Sequence, residues 1–266
     1  MQDKAINDQL RRATLERIAS YTVGIAVEKN TGVGTGTLVT DGIHRYILTA
    51  AHAVAGADIS KARFWLKPPT AIIEKAAIDT TNNEVGRLTV GYEIPIVEVH
   101  TDPKTDTAVL KIDDGFVMPE GPEVYPLAES HEFAVWPGDS FDETSLFLFG
   151  FPVANARALQ TVGNNTTYFL GAASFLIHYS VELNATGFPK LPHRLSSNKD
   201  FLIAYTGEQM HPGGFSGCGI WVASDYPNRL LWRAEPLLIG VAHTYFAKSQ
   251  VIVATKLPSI VTITPT

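Results

Sequence analysis

The chain has 266 residues, 45% of them apolar and 18% charged, with a formal net charge of −6. This composition excludes a disordered chain and leaves room for one large domain or two fused barrels of about 100 residues each. A mildly acidic chain without basic clusters argues against nucleic acid or an anionic membrane as partner. The single cysteine, Cys218, excludes an intrachain disulfide and suits a reducing compartment.

Residues 1–20 read as a polar amphipathic helix. They lack the apolar centre and small-residue cleavage site of a signal peptide. No stretch approaches the roughly 18–20 apolar residues that span a membrane, so the expectation is a soluble, cytoplasmic protein. Short β-type runs follow. Tyr21–Glu28 alternates and is rich in β-branched residues, and the glycine-rich stretch Thr31–Gly36 reads as a turn into Thr37–Thr40. Asp41-Gly42 is a hairpin signal before Arg45–Thr49. Phe64–Lys67, Val85–Tyr92, Pro95–Val99 and Thr107–Ile112 continue the series. Residues 113–142 are rich in Pro, Gly and acids and read as a connector. A second series comprises Ser145–Gly150, Thr166–Leu170, Phe175–Val181, Phe201–Tyr205, Gly217–Ala223, Leu237–Ala242 and Val251–Ala254. No long 3.6-period segment separates these strands, which argues against βαβ units. The expected fold is all-β: two six-stranded antiparallel β-barrels with a short N-terminal helix. The boundaries are 1–20 for the helix, 21–115 for the first barrel, 116–142 for the linker, 143–256 for the second barrel and 257–266 for a C-terminal tail.

Three stretches carry chemistry. In Tyr46-Ile-Leu-Thr-Ala-Ala-His52-Ala-Val54 an apolar strand runs into small residues that let the chain turn and aim an imidazole into a cleft. Taken alone, His52 reads equally as a helix-start histidine bonded to a nearby carbonyl. In Asp102-Pro-Lys-Thr-Asp106-Thr-Ala-Val-Leu-Lys-Ile112 a carboxylate stands just before an alternating strand, where it can accept from an imidazole N–H. Taken alone, Asp106 reads as a turn cap, and Asp102 is a solvated rival in the same turn. In Gly213-Gly-Phe-Ser216-Gly-Cys-Gly219 the glycines permit positive φ and clear space beside a serine. The N–H groups of Gly214 and Ser216 can there converge on a developing oxyanion. Taken alone, the stretch is a tight glycine turn. No HExxH or CxxC pattern points to a metal, and no cofactor is implied.

Together, in the order His, Asp, Ser, these segments resemble the chymotrypsin/trypsin-like serine proteases. ILTAAHAV is similar to their histidine segment, and GGFSGCG to their nucleophile turn. DPKTDTAVLKI most resembles the aspartate segment of the bacterial high-temperature-requirement (Deg-type) peptidases, and Gly32-Val-Gly-Thr-Gly36-Thr-Leu the strand ahead of their histidine. The resemblance covers roughly residues 20–256, and no PDZ-like domain follows it. It implies a serine endopeptidase acting on a protein or peptide, with His52, Asp106 and Ser216 as triad and Gly214 and Ser216 as oxyanion donors. It further implies that Met210, His243 and Tyr245 border the specificity pocket. Apolar, acidic and occluded pockets all stay open there.

The sequence departs from that pattern in two places beside the serine. Phe215 stands where zymogen-type members carry the aspartate that pairs with a new N-terminus, so that mode of activation is not expected. Cys218 replaces a glycine and reads as a small core residue. These departures keep a second class in view, a protease-fold scaffold that does not cleave. An α/β-hydrolase esterase is disfavoured, because its serine precedes the acid and the histidine in the chain.

Overall fold

The computed structural model describes residues 2–26, 33–59, 62–66, 91–128, 146–151, 156–162, 165–170, 173–177, 180–181, 199–204, 213–224, 232–247 and 250–261. After helix α1 (Gln2–Ser20) come strands β1 (Thr22–Ala26), β2 (Val33–Thr40) and β3 (Arg45–Ala50). A one-turn helix α2 (Ala51–Val54) follows directly, then β4 (Arg63–Leu66), β5 (Gly91–Tyr92), β6 (Ile96–Asp102), β7 (Thr107–Ile112) and β8 (Tyr125–Pro126). Among the described residues these eight strands form one sheet, seven of them in the order β5-β4-β1-β2-β3-β7-β6 and the eighth, β8, beside β2. All its pairings are antiparallel except β8, which runs parallel to β2.

The second half holds β9 (Leu146–Gly150), β10 (Ala156–Val162), β11 (Asn165–Leu170), β12 (Ala173–Ile177) and β13 (Ser180–Val181). It continues with β14 (Asp200–Ala204), β15 (Gly219–Ser224), β16 (Trp232–Phe246), β17 (Val251–Lys256) and a closing helix α3 (Leu257–Val261). Seven of these strands make an antiparallel sheet in the order β12-β9-β15-β16-β17-β14-β13, and among the described residues β10 pairs only with β11. Mostly antiparallel β-structure in two large sheets, with a helix at the N-terminus, agrees with the all-β reading.

Each sheet encloses a core of its own. Val23, Ile25, Leu38, Ile47 and Leu110 cluster within the first, and Leu148, Ile203, Phe215, Ile220 and Ile252 within the second. A third cluster joins them, bringing Tyr46, Leu48 and Val109 against Phe147, Trp221 and Leu238. Alternation along β-branched and aromatic strands explains the division, since successive side chains enter different cores. Helix α1 lies on this seam. Its Ile18 is buried there, and Arg17 pairs with Glu235 and Glu123 and lies 5.0 Å over the Tyr21 ring. Tyr21 in turn stacks on Trp221, with ring centroids 5.6 Å apart.

One local expectation is corrected, and two further segments carry structure of their own. The glycine-rich stretch before Thr37 is largely strand: β2 begins at Val33. Its glycines serve close approach, because a Cβ on Gly36 would come within 2.5 Å of the Ile47 side chain. The connector is anchored in its middle, where Tyr125 pairs with Val39 and is fully buried. The C-terminal segment opens with α3, whose Leu257 and Ile260 fill the seam. Of the expected strand Val85–Tyr92 only its end is seen, as β5, and the rest lies outside the described residues.

Candidate active site

The His52 and Asp106 segments meet at the end of β3. Three groups at the start of α2 bond to Asp106. The Ala51 N–H donates to its carbonyl at 2.9 Å, the His52 N–H to Oδ1 at 3.0 Å, and the imidazole Nδ1 lies 2.8 Å from Oδ2. Residue 50 is an alanine and offers no cap to α2, so Asp106 satisfies the exposed N–H groups of that turn from across the sheet. Asp106 has φ 51, in the left-handed region that aspartate tolerates better than most residues. Burial raises its carboxyl pKa, but the hydrogen bonds and charge of His52, together with the charge of His243, outweigh this and hold it below the ordinary carboxylate value. Asp102 has a different duty: its carboxylate accepts from the Lys104 N–H at 2.9 Å and the Thr105 hydroxyl at 3.0 Å, capping the turn.

Ser216 is presented by a turn clamped between the two sheets. Thr35 of β2 donates its N–H to the Ser216 carbonyl at 2.9 Å and its hydroxyl to the Gly214 carbonyl at 2.7 Å. Gly217 donates to the Ala242 carbonyl of β16 at 2.6 Å, and Cys218 donates to Phe215 at 2.9 Å. Gly214 and Gly217 have φ of 96° and 93°, values that favour glycine. The Gly217 backbone presses on the end of β3: a Cβ there would collide with the Thr35 carbonyl and the Thr49 hydroxyl and sit 3.0 Å from the Ala50 nitrogen. Phe215 and Cys218 are buried in the second sheet's core, and burial pushes the Cys218 thiol pKa far up. Among the described residues, the backbone N–H groups of Gly214 and Ser216 donate to no protein acceptor.

The serine hydroxyl does not bond to His52 here. Ser216 Oγ donates to the His243 carbonyl at 3.3 Å. An open cleft of about 800 Å³ is lined by His52, Asp106 and Thr244, with Val54, Ile59 and Val99 supplying apolar wall. The His52 side chain is 51% exposed towards solvent while Asp106 is 17% exposed.

Of the expected pocket residues, Met210 lies outside the described residues. Tyr245 packs against the second sheet's core. The His243 ring points inward, 3% exposed, between Asp106 and Asp200. A register shift between Ala242 and Thr244 in the β16–β17 pairing makes His243 the bulged residue, and a bulge re-aims a side chain. Asp200, Thr105 and Thr255 form the buried polar floor behind it: Thr255 Oγ1 is 2.9 Å from the Thr105 carbonyl and 3.2 Å from Asp200 Oδ1. Sequence reasoning missed Asp200, Thr35 and this floor. Their only signal is a polar residue at a buried strand position.

No metal-binding cluster of His, Cys, Asp and Glu occurs among the described residues, and no described helix is long and apolar enough to cross a membrane. No family model matches the chain, and no curated protein matches it. Solved structures do. The Rv3671c protease in an inactive form is 16% identical, covering 97% of this chain and 92% of that one, with a TM-score of 0.49. A serine-to-alanine mutant of the M. tuberculosis protein is 17% identical over 97% and 90%, with a TM-score of 0.48. The active form of the M. tuberculosis protease is 16% identical over 97% and 84%, with a TM-score of 0.49. Proteases are thus among the structures to which this chain is similar.

Proposed function

We propose that the chain is a serine endopeptidase with His52, Asp106 and Ser216 as its triad, set between two β-barrels of the chymotrypsin-like kind. The observation that carries this reading is the pair of hydrogen bonds that the Asp106 carboxylate accepts from His52, from the ring Nδ1 and from the backbone N–H. It leaves Nε2 as the basic nitrogen, which a general base requires. The clamped glycine turn beside it, with two N–H groups that donate to no acceptor among the described residues, supports an oxyanion site at Gly214 and Ser216.

In the reaction, Ser216 Oγ attacks the scissile carbonyl carbon and its proton passes to His52 Nε2. The carbonyl oxygen becomes an oxyanion held by the two N–H groups, and Asp106 stabilises the imidazolium. Collapse breaks the C–N bond, and the departing amine takes the proton from His52. Water then repeats the sequence on the acyl-enzyme and releases the acid. In this reaction the Ser216 hydroxyl leaves the His243 carbonyl and engages His52, and catalytic bonds are often long or misaligned before substrate binds. The substrate is a protein or peptide, the site needs no cofactor, and the reaction suits a cytoplasmic peptidase.

The Ser216-to-His243 bond also favours a second reading, a scaffold whose serine is parked and inert. A fluorophosphonate probe separates the two. The endopeptidase reading expects a mass adduct on Ser216, abolished in Ser216→Ala and sharply reduced in His52→Ala. An unlabelled wild-type protein, folded by circular dichroism, would overturn it in favour of the scaffold.

A further inference from the structure

His243 has no chemical step in the mechanism above, yet its imidazole touches the site from behind. Each ring nitrogen faces a different carboxylate: Nδ1 is 3.7 Å from Asp106 Oδ2, and Nε2 is 4.0 Å from Asp200 Oδ1. Nδ1 also lies 2.9 Å from Thr244 Oγ1. The side chains of His243 and Asp200 are each 3% exposed. Asp106 Oδ2 is therefore approached by His52 from the open side and by His243 from the closed side.

Among the described residues, charged and titratable groups of four parts of the chain lie around this ring or beside its partners. Asp106 precedes β7 and Asp200 lies on β14. His52 on α2 reaches the same carboxylate from outside, and Lys256 of β17 interacts with Asp200 by charge. A neutral imidazole has one N–H, whereas the protonated ring donates from both nitrogens. Two carboxylates lie within 4.0 Å on either side of the ring, beyond hydrogen-bond distance, and opposite charge that near favours its doubly protonated form.

The geometry points to His243 as a cationic positioning residue. It balances Asp200, steadies Asp106 from the buried side, and shares the carboxylate charge that would otherwise all act on His52. A bulge aims the ring there, so its place depends on the local β16–β17 register. In its catalytic effect this inference rests on the endopeptidase reading, but the charge arrangement does not.

The test is histidine-ring NMR on the full chain across pH, with resonances assigned by His52→Gln and His243→Gln. In wild type the His243 ring should stay protonated at neutral pH. In His243→Gln the His52 midpoint should rise by about one unit, and the acidic limb of kcat/KM should move up with it. In Asp200→Asn the His243 ring should lose its proton at lower pH than in wild type. A neutral His243 ring in wild type at neutral pH, or a His52 midpoint unmoved in His243→Gln, would overturn the inference. If His243→Gln fails to fold, the wild-type ring and Asp200→Asn decide the matter alone. Absent turnover would sink the endopeptidase reading and leave the NMR result standing, while turnover with an unmoved His52 midpoint would do the reverse.

Discussion

Asp106 holds His52 by two different atoms, the ring Nδ1 at 2.8 Å through Oδ2 and the backbone N–H at 3.0 Å through Oδ1. The carboxylate thus orients the imidazole and caps the turn that carries it. In Asp106→Asn one of the two acceptors becomes an NH₂ donor, so either the ring tautomer or the cap is lost. Activity should fall about 10⁴-fold with the fold retained, as peptide turnover and circular dichroism would show. The same pair shapes stability against pH. Asp106 titrates below its ordinary value of 3.8 when folded, so its contribution is present above that value and lost as pH falls through the folded one. Urea midpoints of wild type and Asp106→Asn should converge on acidification. A gap that stays constant from pH 7 down to the acid transition would refute this.

Thr35 is the fastening of the nucleophile turn. Its hydroxyl donates to the Gly214 carbonyl at 2.7 Å and accepts from the Phe151 N–H at 3.0 Å, all within a buried site. Thr35→Val keeps the shape and removes both bonds. Each buried group left unpaired costs roughly 1–3 kcal/mol, so a loss of about 2–6 kcal/mol is expected in denaturant unfolding. Probe labelling of Ser216 should slow as well. Thr35→Ser retains the hydroxyl and should stay within about 1 kcal/mol of wild type.

Much of this site is legible because its segments are local. A strand running into Ala50-Ala51-His52, a turn before Thr107, and glycines on both sides of Ser216 each declare their backbone geometry within a few residues. What brings them together is less legible. Asp200 stands just ahead of the expected strand Phe201–Tyr205, and only pairing with Thr255 places it behind His243. His243 itself reads as a pocket residue until the bulge in β16 turns its ring inward, and a bulge leaves no mark in side-chain alternation. Likewise Gly34 and Gly36 look like a turn in sequence, although their lack of a side chain is what lets β2 lie against α2 and β3. The fold's two-sheet division follows from alternation, whereas β10 has no counterpart among the expected strands, and its pairing with β11 carries its own register shift between Ala158 and Gln160.

Gly217 and Gly42 both have positive φ but differ in surroundings. A Cβ on Gly42 meets nothing within 4 Å, while one on Gly217 would run into backbone and hydroxyl oxygens of Thr35 and Thr49. Gly42→Ala should therefore cost only the backbone term, about 1–2 kcal/mol. Gly217→Ala adds a collision that neither strand can relieve, and a loss of about 4 kcal/mol or more is expected. Thermal unfolding of the two variants in parallel measures the difference. Equal costs would mean that the Ser216 turn is not wedged between the sheets.

Cys218 lies two residues from Ser216 and invites the idea that a thiol does the chemistry. Its side chain is fully buried among Leu148, Ile220 and Phe215, and burial pushes the thiol pKa far above its ordinary value. A thiolate is the reactive form, so the folded protein should resist iodoacetamide and react only as it unfolds. Cys218→Ala should keep fluorophosphonate labelling and lose about 1 kcal/mol of stability from a small packing defect. Rapid alkylation of the native protein, with activity vanishing at the same rate, would transfer the nucleophile's role from Ser216 to Cys218. Such an outcome would require the turn to open, because Cys218 donates to Phe215 and accepts from Ala242 in the closed form.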